Sequence, residues 1–131
     1  MDIKTSYTRL LVNDLKACFE FYRDVLEFTV VTEALEDGYA EFSISGMKLS
    51  LFRRQEMAQM IGSDRPPVTV ECQDQVSLIF TITNVDEAYH HLKAKGANFV
   101  TEPLNNPYYA LKTVYLRDPD GTLIGLFQPM M

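Results

Sequence analysis

Two stretches of nine residues decide the fold: YTRLLVNDL at Tyr7–Leu15 and SLIFTITNV at Ser77–Val85. They start 70 residues apart, and apolar side chains alternate along each until an Asx residue, Asp14 or Asn84, is reached. Alternation with a period of two is typical of a strand with one buried face. An Asp or Asn side chain can accept hydrogen bonds from the first turn of a helix. Each stretch therefore predicts a strand that leads directly into a helix.

The elements that follow these stretches also come in the same order twice. Apolar residues at three- and four-residue spacing predict one amphipathic helix in each copy. Strand-like segments follow the first helix at about 28–35, 38–45 and 47–54, and follow the second at about 98–103, 109–117 and 122–128. The sequence thus predicts two βαβββ modules. We expect an α+β fold in which they form one cupped, eight-stranded mixed sheet with the helices on the outside.

The domain organisation follows from this repeat. We expect a single domain over residues 1–131, with a first module at 5–54, a linker at 55–74 and a second module at 75–131. The linker segment is polar and contains proline. No apolar run approaches the roughly 18 to 20 residues that span a bilayer, and the first four residues lack the apolar core of a signal peptide. We therefore predict a cytoplasmic protein without a membrane partner.

Charge and composition exclude several functions. A net charge of −6 and a pI near 4.8 argue against nucleic acid, because phosphate binding needs a basic face. Cys18 and Cys72 do not show the spacing of metal ligands. His90 and His91 are adjacent on a predicted helix, so they point roughly 100° apart and cannot both face one metal ion. We interpret both histidines as surface or structural residues.

Three motifs carry a resemblance to a known family. They are VNDL at Val12–Leu15, FYRDVLEF at Phe21–Phe28, and LRDPDG at Leu116–Gly121 with an apolar strand after it. From about residue 5 to about residue 128, the chain resembles the vicinal oxygen chelate superfamily. That superfamily includes glyoxalase I, extradiol dioxygenases, fosfomycin-resistance enzymes and bleomycin-resistance proteins. The resemblance implies a small-molecule site in the cupped sheet and a homodimer.

The resemblance also implies where a metal ion would be held. Members that use metals take one ligand from each of four strands, at symmetric places in the two modules. In this sequence the corresponding residues are Tyr7, Ser50, Ser77 and Gly125. A divalent cation held by oxygen and nitrogen donors needs carboxylate charge or imidazole, and these four residues supply neither. We therefore predict no metal and no cofactor, and we assign no catalytic residue.

Alternation along the first strand of each module predicts that Tyr7, Arg9, Leu11, Ser77, Ile79 and Thr81 face the cup. The ligand positions implied by the resemblance add Ser50, with Phe52 beside it, and Gly125, and Tyr109 begins a strand near the mouth of the cup. These ten residues are expected to bind the ligand. An apolar and aromatic surface with a few polar groups is typical of a small-molecule pocket. The same surface also fits a dimer interface or a filled core without a ligand. Arg9 is either a clamp for an anionic group or the ion-pair partner of a carboxylate such as Glu41.

These features favour a metal-free small-molecule-binding protein of the glyoxalase/bleomycin-resistance type. It would bind an aromatic or charged ligand, as antibiotic-resistance proteins that sequester a drug do. The alternative is a lyase, isomerase or dioxygenase of the same superfamily. Such an enzyme would use an atypical metal site, built from carboxylates such as Glu41, Glu71 or Glu102, or Tyr7 as an acid or base. The sequence leaves open whether the protein is an enzyme.

Overall fold

The computed structural model divides the chain into two compact units, Met1–Pro67 (unit one) and Val68–Met131 (unit two). It describes residues 1–61, 74, 76–107 and 110–130. Each unit contains one mixed sheet with a helix packed on it, so the predicted α+β class is confirmed. Most of the predicted linker lies outside the described residues, and the expected domain boundaries stay a prediction. None of the described helices has the length and hydropathy needed to span a membrane.

Unit one follows the predicted order. Its elements are β1 (Thr8–Val12), α1 (Leu15–Glu20), a π-helical turn (Phe21–Val25), β2 (Thr29–Ala34), a 3-10 turn (Leu35–Asp37), β3 (Tyr39–Ile44), β4 (Met47–Arg53) and α2 (Arg54–Ile61). The sheet order is β1-β4-β3-β2. The β1–β4 pair is parallel, and the β3–β4 and β2–β3 pairs are antiparallel. The helix α2 lies where the sequence predicted the start of the linker.

Unit two repeats this order with one more strand. Its elements are β5 (Ser77–Thr81), α3 (Val85–Ala94), β6 (Asn98–Phe99), β7 (Leu104–Asn106), β8 (Leu111–Arg117) and β9 (Leu123–Pro129). The sheet order is β5-β9-β8-β6, and β7 also pairs with β8. The described strands number nine rather than eight, because β6 ends early. The amides of Val100 and Thr101 both donate to the carbonyl of Tyr115, which interrupts the regular ladder.

Both predicted helix caps are present. The Oδ1 atom of Asp14 accepts a hydrogen bond from the amide of Ala17 at 3.0 Å, and that of Asn84 accepts one from the amide of Glu87 at 3.0 Å. These bonds satisfy donors that a helix leaves free in its first turn. Gly96 follows α3 with φ +87°, the left-handed conformation that favours glycine at the end of a helix.

The FYRDVLEF motif forms the aromatic core of unit one. Tyr22 is fully buried, and its ring lies 5.7 Å from that of Phe28 and 5.9 Å from that of Phe42. The π-helical turn is closed by a hydrogen bond from the Leu26 amide to the Phe21 carbonyl. Glu27 then adopts φ 60° and the chain reverses into β2. This reversal brings Phe28 back onto Tyr22, which explains the spacing of the motif.

The DPDG motif forms a turn around a buried carboxylate. Asp118 is 3% exposed, and its Oδ1 atom accepts hydrogen bonds from the amides of Asp120 and Thr122, both at 2.9 Å. Arg117, next to it, donates to both carboxylate oxygens of Asp74, at 2.8 and 3.0 Å. This bidentate contact lowers the pKa of Asp74 below its usual range. The turn that joins β8 to β9 is therefore held by charge-assisted hydrogen bonds.

Burial along β1 and β5 alternates between the two faces of each sheet. Leu10 and Val12 are buried on the face that packs against α1, and Leu78 is buried on the α3 side. The residues between them are largely exposed. We call the face of the four-stranded sheet of unit one that carries Arg9 the open face of unit one. The face of the five-stranded sheet of unit two that carries Ile79 is the open face of unit two.

Replacing Asp118 by alanine should lower the free energy of unfolding by about 2–4 kcal/mol, because two amides lose a buried, charged acceptor. Asp14→Ala, which removes one exposed helix cap, should cost about 1 kcal/mol. Asp118→Asn keeps the Oδ1 acceptor and should fall between the two. Urea unfolding followed by circular dichroism measures all three. An Asp118→Ala variant no less stable than Asp14→Ala would contradict this role for the turn.

Candidate functional site

A stacked guanidinium occupies the centre of the open face of unit one. Arg9 on β1 lies beside Ser50 on β4, and its Nε atom donates a hydrogen bond to the Ser50 Oγ at 3.2 Å. The Cζ atom of Arg9 lies 4.9 Å from the ring centroid of Phe52 and 5.6 Å from that of Tyr39. Three strands thus fix one cation, through a hydrogen bond and two cation–π contacts.

The expected partner of Arg9 has a different contact. Glu41 on β3 lies beside Ser50, so one residue of β4 separates it from Arg9 in the sheet. Its Oε1 atom accepts a hydrogen bond from the Tyr39 hydroxyl at 2.7 Å. Within residues 1–61, the structure shows no ion pair between Arg9 and Glu41. The suggestion that Glu41 neutralises Arg9 is therefore not what the geometry shows.

The Tyr39–Glu41 contact favours the protonated form of the phenol, which is already the form of a free tyrosine at neutral pH. The hydrogen bond to Glu41 raises the pKa of Tyr39 above its usual value of 10.0, and partial burial adds to the shift. The phenol therefore stays protonated at neutral pH and acts as a hydrogen-bond donor. Sequence reasoning did not include Tyr39 in the site. The alternation along β3 could have found it, because Tyr39, Glu41 and Ser43 share the face of Ser50.

The two ends of this open face are apolar and partly exposed. Tyr7 is 52% exposed and has the Nζ atom of Lys48 5.0 Å from its ring centroid. Leu11, at the other end of β1, is 39% exposed and lies beside Phe52. The structure therefore brings together five of the predicted residues of unit one: Tyr7, Arg9, Leu11, Ser50 and Phe52.

Close packing at Gly125 shapes the open face of unit two. Gly125 on β9 lies between Ile79 on β5 and Tyr115 on β8. A Cβ atom built at Gly125 would lie 2.8 Å from the Ile79 Cδ1 atom, 2.9 Å from the Tyr115 Cε1 atom and 2.9 Å from the Phe127 Cε1 atom. Distances below 3.0 Å are essentially never seen for a real Cβ atom. Three apolar side chains therefore occupy the space in which a side chain at position 125 would lie.

The remaining predicted residues of unit two have weaker support. Ser77 and Thr81 lie on β5 on the same face as Ile79, and both are exposed. Tyr109 lies outside the described residues. Tyr115 and Phe127, whose rings are 5.8 Å apart, were missed by the sequence reasoning and contribute more of this face. The signal for them was the glycine at position 125, since a strand glycine marks a close approach of neighbouring groups.

The donor chemistry at the four symmetric places does not fit a metal ion. The Ser50 hydroxyl is uncharged and already accepts a hydrogen bond from the Arg9 guanidinium, and Gly125 has no side chain. Among the described residues, no group of three or more His, Cys, Asp or Glu side chains could hold a metal ion. Glu41 is hydrogen-bonded to Tyr39, and Glu102 is exposed between β6 and β7. Glu71 lies outside the described residues.

The two histidines are on the opposite side of the sheet from the open face of unit two. His90 and His91 are exposed on α3, and the ring of His90 lies 5.4 Å from that of the buried Tyr89. A shallow depression of about 270 Å³ at the start of this helix includes His91, Asn84 and Glu87. The interpretation of both as surface residues agrees with this exposure.

Comparison with known proteins agrees with this architecture. The chain belongs to the glyoxalase/bleomycin resistance protein/dioxygenase superfamily, whose family model matches residues 4–126. It is 32% identical over 126 residues to the uncharacterized protein YraH of Bacillus subtilis (strain 168), with 96% of this chain and 98% of that protein covered. It is 28% identical over 127 residues to a bleomycin resistance protein of Geobacillus stearothermophilus, with 94% and 95% covered.

Solved structures show the same fold. A glyoxalase/bleomycin resistance protein/dioxygenase from Nocardioides matches with a TM-score of 0.76 at 24% identity, over 99% of this chain and 87% of that chain. A lactoylglutathione lyase from Agrobacterium tumefaciens matches with a TM-score of 0.72 at 24% identity, over 98% and 95% of the two chains. At this level of identity, the likeness establishes the fold alone.

Gly125→Ala should lower the free energy of unfolding by about 1–3 kcal/mol, because its methyl group overpacks the open face of unit two. Ile79→Val removes the Cδ1 atom that lies nearest, so the double variant should recover part of this loss. Chemical denaturation of the two single variants and the double variant measures the coupling. If Gly125→Ala were neutral or stabilising, as an alanine in an open strand would be, the packing described here would be wrong.

Proposed function

We propose that this chain is a metal-independent small-molecule-binding protein of its superfamily, with its ligand held on the open face of a sheet. The observation that carries the proposal is the pairing of strand residues at the four symmetric places. In unit one, Arg9 lies beside Ser50 in the strand pair, and two residues earlier the Nζ atom of Lys48 lies 5.0 Å from the ring centroid of Tyr7. In unit two, the neighbouring pairs are Ile79 with Gly125 and Ser77 with Leu123.

Either of two residues on the same face of each strand can be matched to the family's ligand position, and both matches give the same charge pattern. If the matched position is moved by two residues along a strand, the new residue lies on the same face. The pair considered then changes from one of the two named pairs of that unit to the other. In unit one, each pair contains a cation, Arg9 or Lys48. In unit two, neither pair contains a carboxylate or an imidazole. Both registers therefore lack the charge that a divalent cation requires.

Electrostatics in unit one oppose metal binding further. A divalent cation near Ser50 would lie close to the Arg9 guanidinium, which already uses the Ser50 hydroxyl as an acceptor. Repulsion between two like charges at such a distance costs more as water is excluded. The phenol of Tyr39 does not compensate, because it stays protonated. The chemistry that these groups support is recognition of a ligand by stacking and hydrogen bonding.

A ligand-binding role agrees with the nature of the surface and with one group of relatives. The open faces carry exposed Tyr7, Leu11 and Ile79 next to polar groups, which is the composition expected of a small-molecule site. Several relatives at 28% identity are bleomycin resistance proteins. We therefore infer a sequestering role for an aromatic or charged ligand, in a cytoplasmic homodimer. The enzymatic alternative has no supporting observation in the part of the chain that the structure describes.

Metal analysis is the first test of this proposal. Protein purified without chelators should contain no stoichiometric transition metal, and titration with Zn²⁺, Mn²⁺ or Ni²⁺ should show no site of micromolar or tighter affinity. Elemental analysis and isothermal titration calorimetry measure these two quantities. One equivalent of tightly bound metal would contradict the proposal. If Glu41→Gln then removed both the bound metal and the measured metal affinity, the enzymatic alternative with an atypical metal site would be favoured.

Ligand binding is the second test. Metal-free bleomycin and a panel of aromatic cations and anions should include a compound that raises the melting temperature. Tyr7→Ala should reduce that shift, because it removes an exposed ring from the open face of unit one. Val100→Ala is the matched control, since Val100 is 50% exposed in the loop after β6. If Tyr7→Ala and Val100→Ala changed the shift equally, the ligand would bind elsewhere.

A further inference from the structure

The guanidinium of Arg9 is held in place but keeps most of its hydrogen-bonding capacity. Arg9 is exposed, although its Nε atom is bound to the fully buried Ser50 and its Cζ atom lies over the rings of Phe52 and Tyr39. The Nη donors of Arg9 have no hydrogen-bond partner among the residues that the structure describes. A guanidinium fixed through Nε and stacked on rings presents its other donors in a rigid fork that matches a planar oxyanion.

The local charge around Arg9 is opposite in sign to that of the whole protein. On the open face of the four described strands of unit one, the charged residues are Arg9, Lys48 and Glu41. Two cations and one carboxylate give a formal charge of +1, whereas the chain carries −6. A positive patch on an otherwise acidic protein attracts anions to that patch, while the rest of the surface repels them.

The groups that flank Arg9 are suited to an apolar body. Tyr7 and Leu11 lie two residues before and after Arg9 on the same face, roughly 7 Å away along the strand. They are 52% and 39% exposed, so a flat ligand anchored at the guanidinium can cover either one. An aromatic ring joined directly to a carboxylate spans about this distance. The cluster therefore presents one anion-binding group between two apolar contacts.

We propose that the open face of unit one binds a small aromatic carboxylate, with Arg9 pairing with the carboxylate and Tyr7 or Leu11 packing on the ring. This inference rests on the ligand-binding function proposed above and specifies its ligand class. Among the described strand residues of unit one, Glu41 is the one negative group on this face, and its Oε1 atom accepts the hydrogen bond from the Tyr39 hydroxyl. Tyr39 itself adds no negative charge, because a phenol is protonated at neutral pH and the hydrogen bond to Glu41 raises its pKa further.

Three flat probes of the same shape and different charge test the proposal: benzoate, benzamide and benzamidinium. Titrations of ¹⁵N-labelled protein at low ionic strength, followed by NMR, give the affinity and the residues affected. Benzoate should bind about tenfold more tightly than benzamidinium, with the largest shifts at Arg9, Ser50 and Leu11. Equal or tighter binding of benzamidinium would overturn the inference. If benzamide or benzamidinium bound on this face and benzoate did not, the ligand-binding function would stand and the ligand class would be wrong.

Arg9→Gln should weaken benzoate binding by about tenfold while changing benzamide binding by less than about twofold. Arg9→Lys should retain part of the affinity, because it keeps the charge but loses the planar fork. Arg23→Gln is the matched control. Arg23 also lies over an aromatic ring, that of Phe19 at 5.0 Å, but its donors are bound to Asp24. Unchanged benzoate affinity in a folded Arg9→Gln variant would overturn the inference.

A second variant keeps the test valid if Arg9→Gln does not fold. Glu41→Gln leaves Arg9 intact and removes the one carboxylate of this face. Benzoate should then bind about twofold more tightly at low salt, and benzamidinium should bind more weakly. Unchanged or weaker benzoate binding in Glu41→Gln would place the carboxylate of the ligand away from this face and would overturn the inference. If none of the three probes bound to the unaltered protein, the inference would also be contradicted. The ligand-binding function itself is decided separately, by the metal analysis and the ligand panel described above.

Discussion

One-sided burial of each sheet is the constraint on which the rest of the structure depends. Because a helix covers one face, every second strand residue must be apolar, as Val12 and Leu51 are, and the residues between them are left for the other face. The helix caps, the aromatic cluster at Tyr22 and the turn around Asp118 all serve to hold a helix against its sheet or to align neighbouring strands. The composition of the open faces follows from this division.

Much of the fold could be predicted from local signals. Asp14 and Asn84 begin helices because their side chains satisfy amides nearby in the chain, so no distant contact is needed to recognise them. The predicted strand at 98–103 was less accurate, because its end is set by two amides that share the Tyr115 carbonyl. Tyr115 lies 15 positions after Val100 and 14 after Thr101 in the sequence, so these hydrogen bonds leave no pattern in the segment itself.

The sequence could predict on which face of a strand a candidate site residue lies, but not which side chains it contacts. Alternation separated Arg9 and Ile79 from the buried residues of their strands, since period-two geometry needs only one strand at a time. The partner of Arg9 could not be found in this way, because it depends on the register between strands. That register brings Phe52 and Tyr39 under the guanidinium and turns Glu41 towards a phenol. Pairing across strands is therefore the information that the sequence did not reveal.

The packing around Gly125 also restricts which substitutions this strand can accept. A side chain of any kind at that position would bring its Cβ atom within 3.0 Å of three neighbouring side chains at once. A smaller residue at position 79, 115 or 127 would relieve part of this crowding, but each such change alone would leave a gap where the present side chain packs. The four positions are therefore interdependent, and a side chain can be added at position 125 only together with compensating changes around it.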